Sequence, residues 1–257
     1  MKTTISFVSV LYNHSESLVQ RCIDSIHNVM KYCYYFDYEI ILINNLDTKK
    51  YDLNGEYRLI DSIKNLGYCG GNNLAIQNSN SEYIIILNPD IKLTNSLCID
   101  WLIGTCKLNN SISGRLIGTN EWYTYASSFP TDKKYDILPF YFNEPTLIKP
   151  GNWKSFKYID GCLMVFSKSI WEDVEGFDED IFPGYFGENV FAFKTYLKYK
   201  KFILSDCKIN NTYIHDNNDS TFNSPENIIK WTKESRQIFY NKYANNNWDL
   251  FLEYLNH

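Results

Sequence analysis

Four apolar, β-rich runs follow one another from the start of the chain, and every one of them stops in Asn, Asp or Gly. They are Thr4 to Val10, Tyr38 to Asn44 ("YEIILIN"), Tyr57 to Asp61 ("YRLID") and Glu82 to Leu87 ("EYIIIL"). Between the first two, Ser15 to Val29 sets Leu18, Cys22, Ile26 and Val29 at helical spacing behind serines at its start, which predicts a helix. "GGNNLAIQN" before the fourth run predicts a second, shorter helix. Strands alternating with helices imply right-handed crossovers and an α/β architecture, an open doubly wound parallel sheet. Such sheets bind ligands in the crevice beyond the carboxyl ends of their strands. The segments to read for function are therefore "LYNHSE", "NNLD", "NLGYCGGNN" and "NPD".

The last of these isolates one carboxylate. Pro89 has no N–H for a central ladder, so the chain leaves the sheet near Asn88 and Asp90 stands just past the strand's edge. By itself Asn88-Pro89-Asp90 also reads as an Asx-type turn that ends a strand.

Length and charge narrow the partners. A chain of 257 residues can bury a substantial core. Lysine and arginine number 25 against 30 acids, a formal net charge of −5 that argues against a nucleic-acid binder. Seven cysteines, an odd number with no C-x-x-C pair, read as reduced buried thiols of a cytoplasmic protein rather than a disulfide or zinc framework. The N-terminus "MKTTISFVSV" reads as a first strand, and no stretch approaches the roughly 20 apolar residues of a membrane span. Aromatics reach 17%, as on surfaces that hold sugars, although a genomic bias toward Tyr, Asn, Lys and Ile gives the same composition.

From about Asn120 to Lys154 the pattern dissolves into aromatic, proline-bearing sequence, read as a long loop or flap. Regular structure returns with "YIDGCLMVFS" and then "GFDEDIFPGYFGENVFAFKTYLKY", where Glu188 falls in the first turn of a predicted helix. Ser224 to about Tyr243 is an amphipathic helix with Ile228, Trp231, Ile238 and Phe239 on one side and Lys230, Lys233 and Arg236 on the other. It would pack as a core or dimer helix, or lie peripherally on an anionic membrane face.

"NLGYCGGNN", "ILNPD", "DGCLMVF", and "GFDEDIF" followed by "GEN" resemble, in order and spacing, the motifs of the family 2 nucleotide-sugar glycosyltransferases, most closely the bacterial rhamnosyltransferase-like branch that builds O-antigens and capsules. The resemblance implies a GT-A fold, a Rossmann-like and mostly parallel sheet flanked by helices. Residues 1–223 would form that domain: a nucleotide-binding half at 1–119, the flap at 120–155 and an acceptor-side catalytic half at 156–223, with 224–257 as a helical extension.

The resemblance also implies roles. Asp90 looks like the last Asp of the family's D-x-D motif and would bind Mg²⁺ or Mn²⁺ on the donor's diphosphate, with Asn88 in place of the first Asp. His215 in "YIHD" stands where the family often supplies a further metal ligand. Glu188 matches the Glu of an E-D pair and is the candidate base, while Asn189 replaces the second acid and Asp160 is the substitute carboxylate. Asn44 stands where the family places the Asp that reads uracil or thymine. Tyr12, Asn13, Asn65, Gly67, Gly70, Gly71, Asn73 and Gly161 complete the expected donor-binding set. A plainer reading of Glu188 is a carboxylate at a helix N-terminus, and of the glycines a turn before a helix. The implied activity is inverting transfer of a sugar such as rhamnose, galactose or galactofuranose from a UDP- or dTDP-sugar to a polyprenyl-linked surface glycan. The alternative is a nucleotide-sugar or glycan-binding module that has lost its chemistry.

Overall fold

Period-two burial organises the centre of the molecule. In β1 (Thr3–Leu11), Ile5 and Phe7 face one side of the sheet and Val8 the other; β2 (Phe36–Asn44) divides Ile40 and Leu42 from Ile41 and Ile43 in the same way, and β4 (Tyr83–Leu87) divides Ile85 and Leu87 from Ile84 and Ile86. Strands covered on both faces read as unbroken apolar runs, which is why these three are so visible in the sequence. The computed structural model describes residues 2–45, 50–117, 128–130, 153–207, 213–215 and 225–257.

A seven-stranded sheet runs in the order β10-β6-β9-β4-β1-β2-β3, with β3 (Arg58–Asp61), β6 (Ile112–Ile117), β9 (Tyr158–Ser167) and β10 (Leu204–Asp206) completing it. β1 pairs in parallel with both β2 and β4, β2 with β3, and β6 with β10. The sheet is mostly parallel, as expected, with one exception: β9 is antiparallel to both β4 and β6. The reversal has a consequence for the site, since it carries the first half of β9 past the end of β4, with Leu87 opposite Leu163.

Among the described residues two helices cover one face. α1 (Glu16–Met30) starts where the Ser15 hydroxyl accepts the Leu18 N–H at 3.3 Å, and buries Leu18, Cys22, Ile26 and Val29 as its spacing requires. α3 (Ser96–Asn109), capped by Asn95, packs beside it through Ile99, Leu102 and Ile103. The opposite face holds α2 (Gly67–Gln77), α4 (Lys168–Asp173) and α5 (Gly187–Tyr199).

The C-terminal segment, α6 (Pro225–Phe239), a π-turn at Tyr240–Ala244, a 3₁₀ turn at Asn245–Asn247 and α7 (Trp248–Leu255), joins that second layer. Phe239, Phe251 and Tyr254 pack with Phe156 and Phe193 in a cluster of rings 4.9 to 6.4 Å apart. The buried ring of Phe239 is in this core, which agrees with the packing alternative for the amphipathic helix. Many of the chain's aromatics are thus core, not sugar-holding surface. Lys242 and the Tyr243 hydroxyl close on the Asp178 carboxylate at 2.9 and 2.6 Å. Burial opposes the charge of Asp178, but these two partners outweigh it and hold its carboxyl below the ordinary range.

Most of the expected flap lies outside the described residues; its described parts, β7 (Ser128–Pro130) and β8 (Trp153–Ser155), pair with each other in antiparallel fashion. A second small ladder joins β5 (Ile91–Leu93) to β11 (Tyr213–His215). Among the described residues no helix is long and apolar enough to cross a membrane.

Candidate active site

The strand order reverses beside β1: the chain runs outward to β2 and β3, then returns to lay β4 on β1's other edge. A crevice opens at such a switch point. Here it is a cleft of about 570 Å³, lined at the end of β1 by Val10 and Tyr12 and at the end of β4 by Leu87 through Asp90. That volume is within the ordinary range for a small-ligand site.

Asp90 is 4% exposed. The turn that holds it is closed by the Ile91 N–H donating to the Asn88 carbonyl at 3.1 Å and by the Asn88 N–H donating to the Cys162 carbonyl at 3.0 Å. β11 pairs His215 opposite Ile91, and this brings its Nε2 to 3.1 Å from Asp90 Oδ2. Asp90 Oδ1 is buried without a hydrogen-bond partner among the described residues. A buried carboxylate oxygen left unpaired is costly, and a cation or a proton donor from a ligand would satisfy it. Asp90 and His215 therefore fit a divalent ion as a two-ligand platform. Among the described residues no third His, Cys, Asp or Glu joins them, so donor oxygens and water would complete the shell.

Asp160, Gly161 and Glu188 line the same cleft. Reversal of β9 puts Asp160 and Gly161 at this end of the sheet. Asp160 accepts the Cys162 N–H at 3.1 Å, and Tyr68 donates its hydroxyl to the Gly161 carbonyl at 2.9 Å. Glu188 is in the first turn of α5, just after Phe186, which holds a left-handed φ of 85° within the aromatic core. A bulky residue in that conformation is strained and is kept there by its packing, which fixes where Glu188 enters the cleft. Desolvation, with the charge of Asp160 added, raises the Glu188 carboxyl from 4.5 to about 7.

Asn189 is 3% exposed and does not line the cleft. The missing second acid is consequently a buried packing position, and Glu188 is the member of the pair that faces the cavity.

The other expected donor residues divide. Tyr12, Asn65, Gly67, Asn88 and Gly161 line the cleft; Asn13, Asn44, Gly70, Gly71 and Asn73 do not. Asn13 occupies an exposed left-handed turn at φ 57°. Asn44 donates to Asp61 at 2.8 Å across the β2–β3 pair. Gly70 and Gly71 are inside α2 rather than in a turn, and a Cβ on Gly71 would stand 2.7 Å from Val10, so this glycine lets helix and strand approach. Asn73 uses its whole amide: it donates to the Phe177 carbonyl and Glu179, and accepts from Trp171 Nε1 and the Phe177 N–H, all at 2.9 Å. That bolt joins two of the sequence motifs, "NLGYCGGNN" and "GFDEDIF". Gly67, at φ 65°, brings the start of α2 against the 182–184 turn, where the Tyr68 N–H donates to the Pro183 carbonyl at 2.6 Å.

Several cleft residues escaped sequence reasoning. Asn45 locks the 65–67 turn through Asn65, the Gly67 carbonyl and the Leu66 N–H. His14 accepts the Tyr12 N–H at 2.9 Å. Both occur in strand-end clusters the sequence does flag. Tyr68, Asn72, Phe182, Tyr185 and Trp231 also line the cleft, without any such signal for Trp231, whose helical spacing marks it as core.

The fold is shared with known structures. The S. aureus TarS 1–349 crystal structure is 13% identical, with 97% of this chain and 75% of that chain covered at a TM-score of 0.53. A longer S. aureus TarS structure is 13% identical with 100% and 43% covered and a TM-score of 0.56; the chain spans less than half of that protein. TarS 1–349 in complex with UDP-GlcNAc gives 13% identity, 97% and 76% coverage and a TM-score of 0.52. No curated protein sequence matches the chain. The family model described as glycosyl transferase family 2 matches residues 6–170, the stretch that builds β1 through the Asp90 turn and the Asp160 strand, and the chain belongs to that family.

Proposed function

We propose that the chain is an inverting glycosyltransferase that takes a sugar from a UDP- or dTDP-linked donor and delivers it to a hydroxyl of a growing, polyprenyl-linked surface glycan. The observation that carries the chemistry is the presence in one cleft of a buried half-satisfied carboxylate at Asp90 and of a carboxylate at Glu188 poised near neutrality. The uridine choice is supported by the complexes of TarS with UDP and UDP-GlcNAc, and the acceptor class by the motif resemblance to O-antigen and capsule enzymes.

Asp90 and His215 would hold Mg²⁺ or Mn²⁺, which when bound supplies positive charge for the departing diphosphate. Glu188, ionised, takes the proton from the acceptor hydroxyl; the oxygen forms its bond to the anomeric carbon as the bond to the diphosphate oxygen breaks, and that electron pair leaves with the diphosphate. A carboxyl poised at about 7 is a stronger base than an ordinary Glu and is still substantially ionised at neutral pH. Asp160 beside it keeps the proton on Glu188 once taken.

Calorimetric titration with UDP and with dTDP, with and without Mn²⁺, tests the reading. One nucleotide binds more tightly with metal, and Asp90→Asn removes the metal's contribution. Metal-independent binding equal in wild type and variant would refute the metal role, and binding of neither nucleotide would refute the donor class.

A further inference from the structure

Tyr185 and Trp231 line the same cleft as Glu188, in contact with each other. Their rings are near parallel, 14° apart in plane, with centroids 6.1 Å apart. Neither residue belongs to the stretch matched by the family model, which ends at 170. One comes from the turn three residues before Glu188 and the other from α6 of the C-terminal segment.

The pair is rigid because the residues beside it are core. Phe186, next to Tyr185, packs edge-on against Phe239 of the same α6 at 5.5 Å, and the Arg236 guanidinium covers the Phe186 ring at 5.9 Å. Thr232 and Ser235, on the turn of α6 beyond Trp231, are buried. The Phe186–Phe239 contact inside the core and the Tyr185–Trp231 contact in the cleft are thus two successive stitches between one turn and one helix. Preorganised aromatic surface binds with little loss of side-chain freedom. Phe182, 48% exposed on the same rim, extends the apolar surface toward solvent.

A stacked aromatic pair lining the same cleft as a carboxylate suits a ligand with one apolar face and a hydroxyl edge, which describes a pyranose ring. We infer that Tyr185 and Trp231 form the platform for the acceptor sugar, holding its C–H face while a ring hydroxyl is presented to Glu188. The inference rests on the transferase reading above and assigns it an acceptor subsite: the C-terminal helix that completes the core also completes this site.

The test uses the full chain with UDP and Mn²⁺ present and four probes: methyl β-D-glucopyranoside, methyl β-D-galactopyranoside, methyl 2-acetamido-2-deoxy-β-D-glucopyranoside and methyl α-L-rhamnopyranoside. Saturation-transfer NMR reads which ring protons touch the protein, and calorimetry reads UDP affinity in parallel. At least one pyranoside shows transfer to the C–H protons of one face. Its affinity falls roughly tenfold in Trp231→Ala and in Tyr185→Ala, the order expected for loss of one aromatic partner, and largely survives in Trp231→Phe. UDP affinity stays within about twofold in all three, on the same order-of-magnitude scale. A melting curve beside each variant identifies loss through unfolding, and Trp231→Leu, which keeps an apolar side chain but no ring, then carries the comparison: its pyranoside affinity falls as expected for Trp231→Ala, and an unchanged affinity overturns the assignment.

No transfer from any of the four pyranosides, or an unchanged pyranoside response in Trp231→Ala, overturns the assignment. UDP affinity falling in step with the pyranoside response also overturns it, since the pair would then belong to the donor site. If the wild-type chain binds a pyranoside through Trp231 but neither UDP nor dTDP, the saccharide platform stands and the donor reading fails.

Discussion

Glu188→Gln separates stability from catalysis in opposite directions. The carboxyl titrates at about 7 in the fold against an ordinary value of 4.5 for an exposed Glu, because burial disfavours its charge and Asp160 adds repulsion. The folded pKa is above the unfolded one, so between these values the native state binds more protons than the unfolded chain. Stability is therefore lost as pH rises from about 4.5 to about 7, and the loss is complete above that. At about 1.4 kcal/mol per pH unit the full cost is about 3 kcal/mol, and water reaching the carboxylate from the cleft lowers it to about 2. Glutamine has the same shape and no charge, so the variant regains that amount at pH 8 and nothing at pH 4.5. For a chain of this size it corresponds to a melting temperature roughly 4–8 °C above wild type at pH 8. Transfer activity falls by a factor of about 10² to 10⁴ in the same protein, as expected for loss of a general base. Differential scanning calorimetry at pH 5 and pH 8 reads the first effect. A variant no more stable than wild type at pH 8, or a gap that does not change with pH, would refute the account of Glu188 as a desolvated carboxylate.

Other perturbations probe the supports of the site. Gly71→Ala drives a Cβ to 2.7 Å from the Val10 side chain and should cost about 1–3 kcal/mol in urea unfolding; an unchanged midpoint would show that α2 has room to shift. Asp90→Ala removes the carboxylate whose Oδ1 has no partner among the described residues, so EDTA should no longer weaken donor binding in the variant, and a persistent EDTA effect would locate the ion elsewhere. Six of the seven cysteines are buried and Cys207 is partly exposed, so a thiol reagent at pH 8 should label about one residue per native chain, and prompt labelling of Cys22, whose thiol burial pushes up to about 12, would contradict the packing of α1 on the sheet. Tyr243→Phe, which removes the 2.6 Å bond to Asp178, should lower the melting temperature by a few degrees, and no change would show that Lys242 alone satisfies that carboxylate.

The central strands were legible because a strand buried on both faces has no polar alternation to hide it, and β1, β2 and β4 are such strands. Helix α1 announced itself through Ser15 and its four apolar positions. The direction of β9 was not legible: an apolar run has no polarity of its own, and the connection that reverses the chain is outside any local pattern. Asp90 could be placed at a strand end from Pro89 alone, but its neighbour His215 is 125 residues away and meets it only through the β5–β11 ladder. Gly70 and Gly71 carry a signal for close backbone approach that does not say to what; within the protein the close neighbours are Leu66 and Val10. Asn73 carries the same ambiguity, resolved by four hydrogen bonds to the protein itself. Trp231 shares helical spacing with Phe239, yet Phe239 is in the core and Trp231 lines the cavity, a division that spacing alone does not show.

The most direct measurement is a donor screen. The purified chain is incubated with Mn²⁺ and, separately, UDP-galactose, UDP-glucose, UDP-N-acetylglucosamine, UDP-galactofuranose and dTDP-rhamnose, and released UDP or dTDP is read with and without EDTA. The account predicts release from one donor that requires the metal and is lost in Glu188→Gln. No release from any donor, together with no binding of any of them by calorimetry, would contradict it.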